Sequence, residues 1–159
     1  MLLRERAWDV MRTDMVEVRE TDSLRDVALR LRKVMKDHPD RACAVVLSPE
    51  GEFRGVVTAW WLLLYMEQCA LEDSLKLKVT EDFDETFKTI CRKCFSRPAG
   101  GVVERDVPLV RPQDPLPVVL EAMLETRRRW AVVIEGGKVL GVIAAEDLFM
   151  QMDWEHLEI

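Results

Sequence analysis

The sequence has few of the features that mark a membrane anchor, a metal site or a catalytic centre. No stretch approaches the roughly 20 apolar residues of a membrane-spanning helix, and the N-terminal segment MLLRERAWDV lacks the apolar core of a secretion signal. Histidine occurs only at His38 and His156, so no paired histidines suggest a metal site. There is no glycine-rich phosphate loop and no Ser/His/Asp set with recognisable spacing. These absences predict a cytoplasmic protein that is neither an enzyme nor a metal protein.

A dominant basic patch is also missing. Charged residues make up 33% of the chain, and the net charge is −6. The longest basic run is Arg127-Arg128-Arg129. An acidic protein repels the phosphates of nucleic acid and the head groups of anionic lipid. We therefore expect binding to neither nucleic acid nor membrane.

Cysteine is scarce, and in a cytoplasmic protein its thiols are expected to stay reduced. The four residues are Cys43, Cys69, Cys91 and Cys94. Cys91-Arg92-Lys93-Cys94 has the spacing of half a zinc site or of a redox pair. Both thiols nevertheless fall on the apolar stripe of a predicted helix, with Phe87 and Ile90. We favour buried core over a thiol enzyme or metal protein, which stays as the weaker alternative.

What the sequence does contain is an internal repeat. The stretch 41–64 returns, altered, as 128–149, and 48% of the chain is hydrophobic. Each copy runs from an apolar strand through an acidic, glycine-bearing turn to a second strand and a helix. The matching segments are Ala44–Leu47 with Ala131–Ile134, and Gly55–Val57 with Gly141–Ile143. Such a repeat predicts two packed copies of one unit.

In the first repeat the patterns predict a strand, a helix, a hairpin and a second helix. The strand is Met15–Val18, and Ser23 with Asp26 has the spacing of a capping box for the helix that follows. The hairpin spans 42–57, and a helix begins after Thr58. Because Ala59–Met66 is apolar on nearly every side, we expect this helix to be covered at a seam between repeats or subunits.

The second repeat has the same order of elements. Val107–Val110 forms the strand, and Asp114 is predicted to cap the next helix with Pro115 at its first position. A hairpin over 130–143 and a last helix over 144–152 complete it. Residues 70–101 have no counterpart in the repeat and are interpreted as a helical connector.

This order of elements and its junction residues resemble the cystathionine-β-synthase (CBS) domain, here as a tandem pair. The motifs that carry the resemblance are Asp9-Val10-Met11, Asp22-Ser23-Leu24, Gly55-Val56-Val57-Thr58, Asp114-Pro115-Leu116, Gly141-Val142-Ile143 and Asp147-Leu148. The resemblance implies an α+β fold of two β-α-β-β-α units packed with pseudo-twofold symmetry. The first unit would span 1–69, the helical connector 70–101 and the second unit 102–159.

The resemblance also implies a binding site for an adenosine compound in a cleft between the repeats. A carboxylate at the start of the last helix would bind ribose hydroxyls, and Asp147 takes that place. Strand residues would line the purine slot, here Val110, Ala131 and Val132. A hydroxyl before the helix would face phosphate; the first repeat has it in Thr58, whereas the second has Ala144.

Each of these residues also has a structural interpretation. Asp147 is equally suited to capping its own helix, and Thr58 is better suited to capping than to binding a ligand, because Trp61 replaces the ribose carboxylate in the first repeat. The arginines 127–129 are interpreted as a solvated face rather than a phosphate contact. Ala144 leaves room for a ligand but provides no hydroxyl.

Two functional hypotheses follow. The first is a stand-alone regulatory module that binds AMP, ADP, ATP or S-adenosylmethionine near Asp147, without a metal, and forms a homodimer through the Ala59–Met66 helix. The alternative is a ligand-free module for dimerisation or partner binding whose clefts are packed shut. Trp61 and Ala144 favour the alternative, and Asp147 favours the first.

Overall fold

The computed structural model describes residues 4–72 and 83–156 and confirms two repeated α+β units. Both repeats contain the predicted strand, helix, hairpin and helix. A further helix, Phe83–Cys94, lies in the stretch that has no counterpart in the repeat. The helices are α1 (Ala7–Val10), α2 (Leu24–Asp37), α3 (Ala59–Glu72), α4 (Phe83–Cys94), α5 (Leu116–Thr126) and α6 (Ala145–Gln151). The strands are β1 (Val16–Arg19), β2 (Cys43–Leu47), β3 (Phe53–Thr58), β4 (Leu109–Val110), β5 (Trp130–Glu135) and β6 (Lys138–Ala144).

Each repeat forms its own three-stranded sheet with the same topology. The strand orders are β1-β2-β3 and β4-β5-β6, in which the first pair is parallel and the second antiparallel. Both hairpins also carry a register shift at matching places, between Val46 and Leu47 and between Val133 and Ile134. The two repeats therefore share the register shift of the hairpin as well as the strand order.

The packed units divide the chain differently from the repeat boundaries at 69 and 102. The first-repeat unit comprises Val16–Arg105, and the second-repeat unit comprises Met1–Met15 with Asp106–Ile159. The N-terminal segment thus packs with the second repeat, although it precedes the first in sequence. The linker after α4 stays with the first repeat.

The core of each unit forms where its first helix covers its sheet. In the first-repeat unit, Leu24, Val27 and Leu31 of α2 pack with buried residues of β2 and β3. In the second-repeat unit, the matching residues Leu116, Val119 and Met123 of α5 pack with Ala131, Val133 and Ile143. In both helices these residues recur at the spacing of an amphipathic face.

One predicted helix start is confirmed and another is wrong. The Ser23 hydroxyl accepts a hydrogen bond from the Asp26 N–H at 3.1 Å, as predicted for the N-cap of α2. Asp114 does not cap α5, because Pro115 has extended backbone and the helix begins only at Leu116. The Asp114 carboxylate instead accepts from the Arg111 N–H at 2.8 Å and closes the preceding turn.

The expectation of four reduced thiols is also wrong. A disulfide joins Cys69 of α3 to Cys94 of α4, with the two Cα atoms 6.2 Å apart. Cys43 and Cys91 are free. The chemistry of a cytoplasmic compartment predicted otherwise, but helix α4 brings buried Cys94 against buried Cys69. Cys94 is therefore part of the core, as interpreted, but as half of a disulfide.

Helix α3 is covered on one side only. Leu62, Cys69 and Ala70 are buried, whereas Trp60 is 69% exposed and Leu63 and Leu64 are also exposed. Within residues 4–72 and 83–156, no helix combines the length and the apolar character needed to cross a membrane. The uncovered side of α3 is thus an exposed apolar surface.

An extra segment crosses the edge of each sheet at a glycine. In the second-repeat unit, the Arg12 N–H donates to the Val142 carbonyl at 2.8 Å, and the Val142 N–H donates back at 3.0 Å. A Cβ atom at Gly141 would lie 2.7 Å from the Arg12 carbonyl oxygen. In the first-repeat unit, Glu104 forms the matching pair of bonds with Val56, beside Gly55. Only glycine leaves room for these crossings.

We predict that Gly141→Ala lowers the free energy of unfolding by about 1–3 kcal/mol, because the new methyl group collides with the Arg12 backbone. Chemical denaturation measures the change. Gly101→Ala is the matched control: nothing lies within 4 Å of its added Cβ, so the change should stay within about 0.5 kcal/mol. Equal effects of the two substitutions would contradict a steric role for Gly141.

We also predict that reduction destabilises the protein by about 3.5 kcal/mol, the chain-entropy value for a disulfide that spans 25 residues. The melting temperature is measured with and without dithiothreitol. The Cys91→Ala variant should respond to the reductant like the wild type, and the Cys69→Ala/Cys94→Ala variant should not respond. A wild type that is insensitive to reductant would argue against the bond.

Candidate functional site

The start of α6 holds the most chemically informative residue of the sequence, Asp147. Ala144 is the N-cap of this helix and has no side-chain oxygen to cap it. Asp147, three residues later, bonds to the N-cap backbone instead: its Oδ2 accepts a hydrogen bond from the Ala144 N–H at 2.9 Å. This is the carboxylate half of a capping box. The capping interpretation of Asp147 is therefore correct, and one of its two oxygens is engaged.

The other oxygen of Asp147 is bound by Arg12. The Arg12 guanidinium donates to Oδ1 from Nη2 at 2.6 Å and from Nε at 3.1 Å. The side chains are only 16% and 18% exposed, so water screens this ion pair weakly. Charge-assisted bonds of this kind are stronger than neutral ones. Arg12 and Asp147 form a satisfied, partly buried charge pair.

Arg12 is the partner of Asp147 that sequence reasoning missed. It lies 135 positions from Asp147, and no periodicity connects the two. The crossing at Gly141 fixes the Arg12 backbone beside β6 and so brings its side chain to α6. The matched glycines Gly55 and Gly141 were the available signal, because a glycine inside a strand marks a close backbone approach. The two glycines do not indicate which segment of the chain makes the close approach.

The first repeat handles the equivalent position differently. Thr58 Oγ1 accepts from the Trp61 N–H at 3.0 Å and so caps α3, which confirms the capping interpretation. The Trp61 indole N–H donates to the Val102 carbonyl oxygen of the same unit. Trp61 occupies the place that Asp147 has in α6, and its ring is anchored there. Thr58 belongs to the first-repeat unit, and Asp147 and Ala144 belong to the second-repeat unit.

The strand residues proposed for the purine slot fall into two groups. Val110 and Ala131 are buried in the core of the second-repeat unit, together with α5 and α6. Val132 is also fully buried, but as the intervening residue of β5 it lies on the opposite face of the sheet. Val110 and Ala131 therefore have a packing role, and their contact with a ligand stays a prediction.

The three arginines before β5 have structural contacts. Arg127 adopts a left-handed conformation, with φ at 53°, and ends α5. Arg128 lies 3.8 Å from the Asp106 carboxylate. The Arg129 carbonyl accepts from the Ala145 N–H at 2.9 Å. Arg127 and Arg129 are exposed, which agrees with the interpretation of the run as a solvated face, and its contacts are with its own unit.

The thiols do not form a reactive or metal-binding centre in the part of the chain described. Burial, and to a smaller extent the nearby Glu104 carboxylate, raises the pKa of the Cys43 thiol far above its usual value. Burial also raises the pKa of Cys91. Both shifts keep the thiols protonated and poorly nucleophilic. Among the described residues, no three His, Cys, Asp or Glu side chains are grouped to hold a metal ion.

Comparison with known protein families follows the two repeats. The model of the CBS domain matches residues 7–60 and 99–153, which together span more than half of the chain. The chain belongs to the CBS domain family. The matched segments include Arg12, Gly55, Thr58, Gly141 and Asp147. No curated protein sequence matches the chain significantly.

Solved structures of CBS proteins share the fold. The CBS domain of a CBS domain-containing membrane protein from Sphaerobacter thermophilus is 20% identical, with a TM-score of 0.70, and the match covers 95% of this chain and 90% of that one. A CBS domain protein from Pyrobaculum aerophilum, complexed with AMP, is 21% identical with a TM-score of 0.63, covering 90% and 89%.

A third structure is a CBS domain pair in complex with 5′-methylthioadenosine and S-adenosyl-L-methionine. It is 14% identical with a TM-score of 0.64, and the match covers 92% of this chain and 94% of that one. At such identities these likenesses establish the fold alone.

We predict that Arg12 and Asp147 are energetically coupled. Arg12→Ala and Asp147→Ala should each lower the free energy of unfolding by about 2 kcal/mol, since each removes the partly buried ion pair and its charge-assisted hydrogen bonds. The double variant should lose at least about 1 kcal/mol less than the sum of the two. Glu146→Ala, an exposed neighbour, should change stability by less than about 0.5 kcal/mol. Strict additivity in denaturant titrations would show that the pair is not coupled.

Proposed function

We propose that this chain is a regulatory CBS pair that binds an adenosine compound through Asp147, and that its role is sensory rather than catalytic. The supporting observation is a charged carboxylate, only 18% exposed, held at the start of α6 by Arg12. A carboxylate accepts hydrogen bonds and has none to donate. The two hydroxyls of a ribose are donors of matching spacing and chemistry. Asp147 is thus suited to bind a sugar diol.

The solved relatives lend support. One CBS protein of similar fold is complexed with AMP, and another pair is complexed with 5′-methylthioadenosine and S-adenosyl-L-methionine. All three compounds contain adenosine. We carry that chemistry to this chain as a proposal: the ligand is AMP, ADP, ATP or S-adenosylmethionine, and no metal is needed. The second-repeat unit holds the ribose contact, with Val132 and Ala144 as apolar neighbours.

Regulation in this proposal acts through a cytoplasmic homodimer. The exposed side of α3 carries Trp60, Leu63 and Leu64, an apolar surface of the kind that subunit interfaces bury. A twofold dimer would place this surface against its copy. A ligand that binds one packing of the subunits better than another shifts the population between them. In this proposal, the change in population between the two packings of the dimer reports that the ligand is bound.

The alternative is a ligand-free interaction module, and two observations favour it. Trp61 is anchored to Val102 and occupies the carboxylate position of the first repeat. Arg12 already satisfies Asp147 in the second. In this alternative both positions have become structural, and the apolar side of α3 provides the whole function by docking on a partner or a second copy.

Thermal unfolding distinguishes the ligand-binding module from the ligand-free module. The midpoint is measured with and without AMP, ADP, ATP and S-adenosylmethionine, each at millimolar concentration. A ligand selective for the folded protein at about 100 times its dissociation constant adds about 2.7 kcal/mol. For a chain of this size that raises the midpoint by roughly 5–10 °C. We expect such a shift with at least one compound.

The variants decide where the ligand binds. Asp147→Ala should abolish the shift, whereas the matched control Glu146→Ala, the exposed neighbour on α6, should retain it. A shift that survives in Asp147→Ala would place the ligand elsewhere. No shift with any of the four compounds would support the ligand-free interaction module.

A further inference from the structure

The Cys69–Cys94 disulfide joins two helices whose common core is small. Cys69 lies near the end of α3, and Cys94 is the last residue of α4. We propose that this bond is a redox switch: a dithiol reductant opens it, α4 leaves α3, and the apolar surface between the two helices becomes exposed. The switch goes beyond adenosine binding and involves no residue of α6.

The buried contact between α3 and α4 consists largely of the disulfide. Its buried residues are Cys69 and Ala70 from α3 and Ile90 and Cys94 from α4. Among the described side chains of α4, only Ile90 and Cys94 are buried, and Phe87 on the same stripe is exposed. Once the bond is open, Ile90 is therefore the one large buried side chain, among those described, that holds α4 in place.

Helix α4 depends on this contact because it is short. It has 12 residues, and isolated helices of that length are marginal in water. The acidic residues in its first turn and the basic residues in its last turn favour the helix. They are exposed, however, and salt screens such interactions with the helix dipole. Packing on α3 is thus the main source of stability for α4.

The chain that follows α4 is anchored independently of the disulfide. The Arg25 N–H donates to the Phe95 carbonyl, and the Leu24 N–H donates to the Arg97 carbonyl, each at 2.9 Å. These bonds attach the chain to the start of α2. Among the described residues, the core that α2 forms with its sheet shares no buried residue with the α3–α4 contact. Loss of that contact is therefore a local opening that leaves the rest of the unit folded.

The chemistry of the switch is a two-electron exchange with the dithiol. One thiolate of the dithiol attacks a sulfur of the protein disulfide, and the other protein sulfur leaves as a thiolate. The second thiol of the dithiol then displaces the protein sulfur that is still bound. The dithiol becomes a disulfide, and the two protons that it gives up are taken by the two protein thiols. Because Cys69 and Cys94 are buried, the attack requires the end of α4 to open first.

The cytoplasmic location that we propose distinguishes a switch from a permanent cross-link, and this step rests on that part of the proposed function. Cytoplasmic thiols keep most cysteines reduced, and the disulfides that form there are usually transient or redox-sensing. A bond between two helices of a cytoplasmic protein is thus expected to open and close.

Reduction enlarges the exposed apolar surface of α3. That surface already includes Trp60, Leu63 and Leu64. Tyr65 and Met66 are partly buried against the contact with α4, and they become more exposed when α4 leaves. The oxidation state of the disulfide therefore controls how much apolar surface α3 presents to the solvent.

Hydrogen–deuterium exchange of the whole chain, with and without dithiothreitol, tests the switch. We expect reduction to speed exchange of the α4 amides by about tenfold or more, whereas the amides of α2 and α5 keep their protection. Thiol titration should rise from two free cysteines to four. Fluorescence of the dye 1-anilinonaphthalene-8-sulfonate should increase, because more apolar surface is exposed. The experiment contains no adenosine compound, so its result does not bear on ligand binding.

Two variants complete the test. Cys69→Ala/Cys94→Ala should show fast exchange in α4 with or without dithiothreitol, and Cys91→Ala, the matched control, should behave like the wild type. Unchanged exchange of α4 in a wild type with four titratable thiols would overturn the switch and leave a structural cross-link. Loss of protection in every helix would also overturn it, because the bond would then hold the whole unit. So would a disulfide that dithiothreitol leaves intact in the folded protein.

Discussion

The exchange of backbone hydrogen bonds between Arg12 and Val142 is the constraint on which the candidate site depends. It attaches the N-terminal segment to the edge of β6, and Gly141 makes the close approach possible. Glu104 and Val56 repeat the arrangement beside Gly55. The crossing places Arg12 beside α6, although Arg12 and Asp147 lie 135 positions apart in the chain. A backbone contact thus positions the Arg12–Asp147 ion pair.

A complete capping box has two side-chain hydrogen bonds, and each repeat contains only one of them. The first repeat keeps the hydroxyl half, in which Thr58 accepts from the Trp61 N–H. The second keeps the carboxylate half, in which Asp147 accepts from the Ala144 N–H. Either half satisfies a helix start. The first solution frees the third helical position for an aromatic ring, and the second retains a charge there. The asymmetry in function that we propose follows from this choice, although both folds are the same.

Much of the fold could be predicted because the repeat shows its periodicity twice. Strand alternation, the apolar face of α2 and the Ser23 cap are local patterns, and local patterns survive in a single sequence. The features that were predicted wrongly or missed do not follow from local patterns. The prediction that Asp114 caps α5 was wrong because Pro115 is not helical and the helix begins one residue later. The Cys69–Cys94 bond and the Arg12–Asp147 pair join residues 25 and 135 positions apart, and their partners are set by packing rather than by spacing.

The Arg12–Asp147 ion pair forms without a ligand, and this affects the ligand affinity that an experiment measures. Ligand affinity at such a site is the difference between the new contacts and the pair that is lost, so it is lower than the contacts alone would give. A ribose bound to Asp147, as we propose, would compete with the Arg12 guanidinium for Oδ1, and its affinity would reflect that competition.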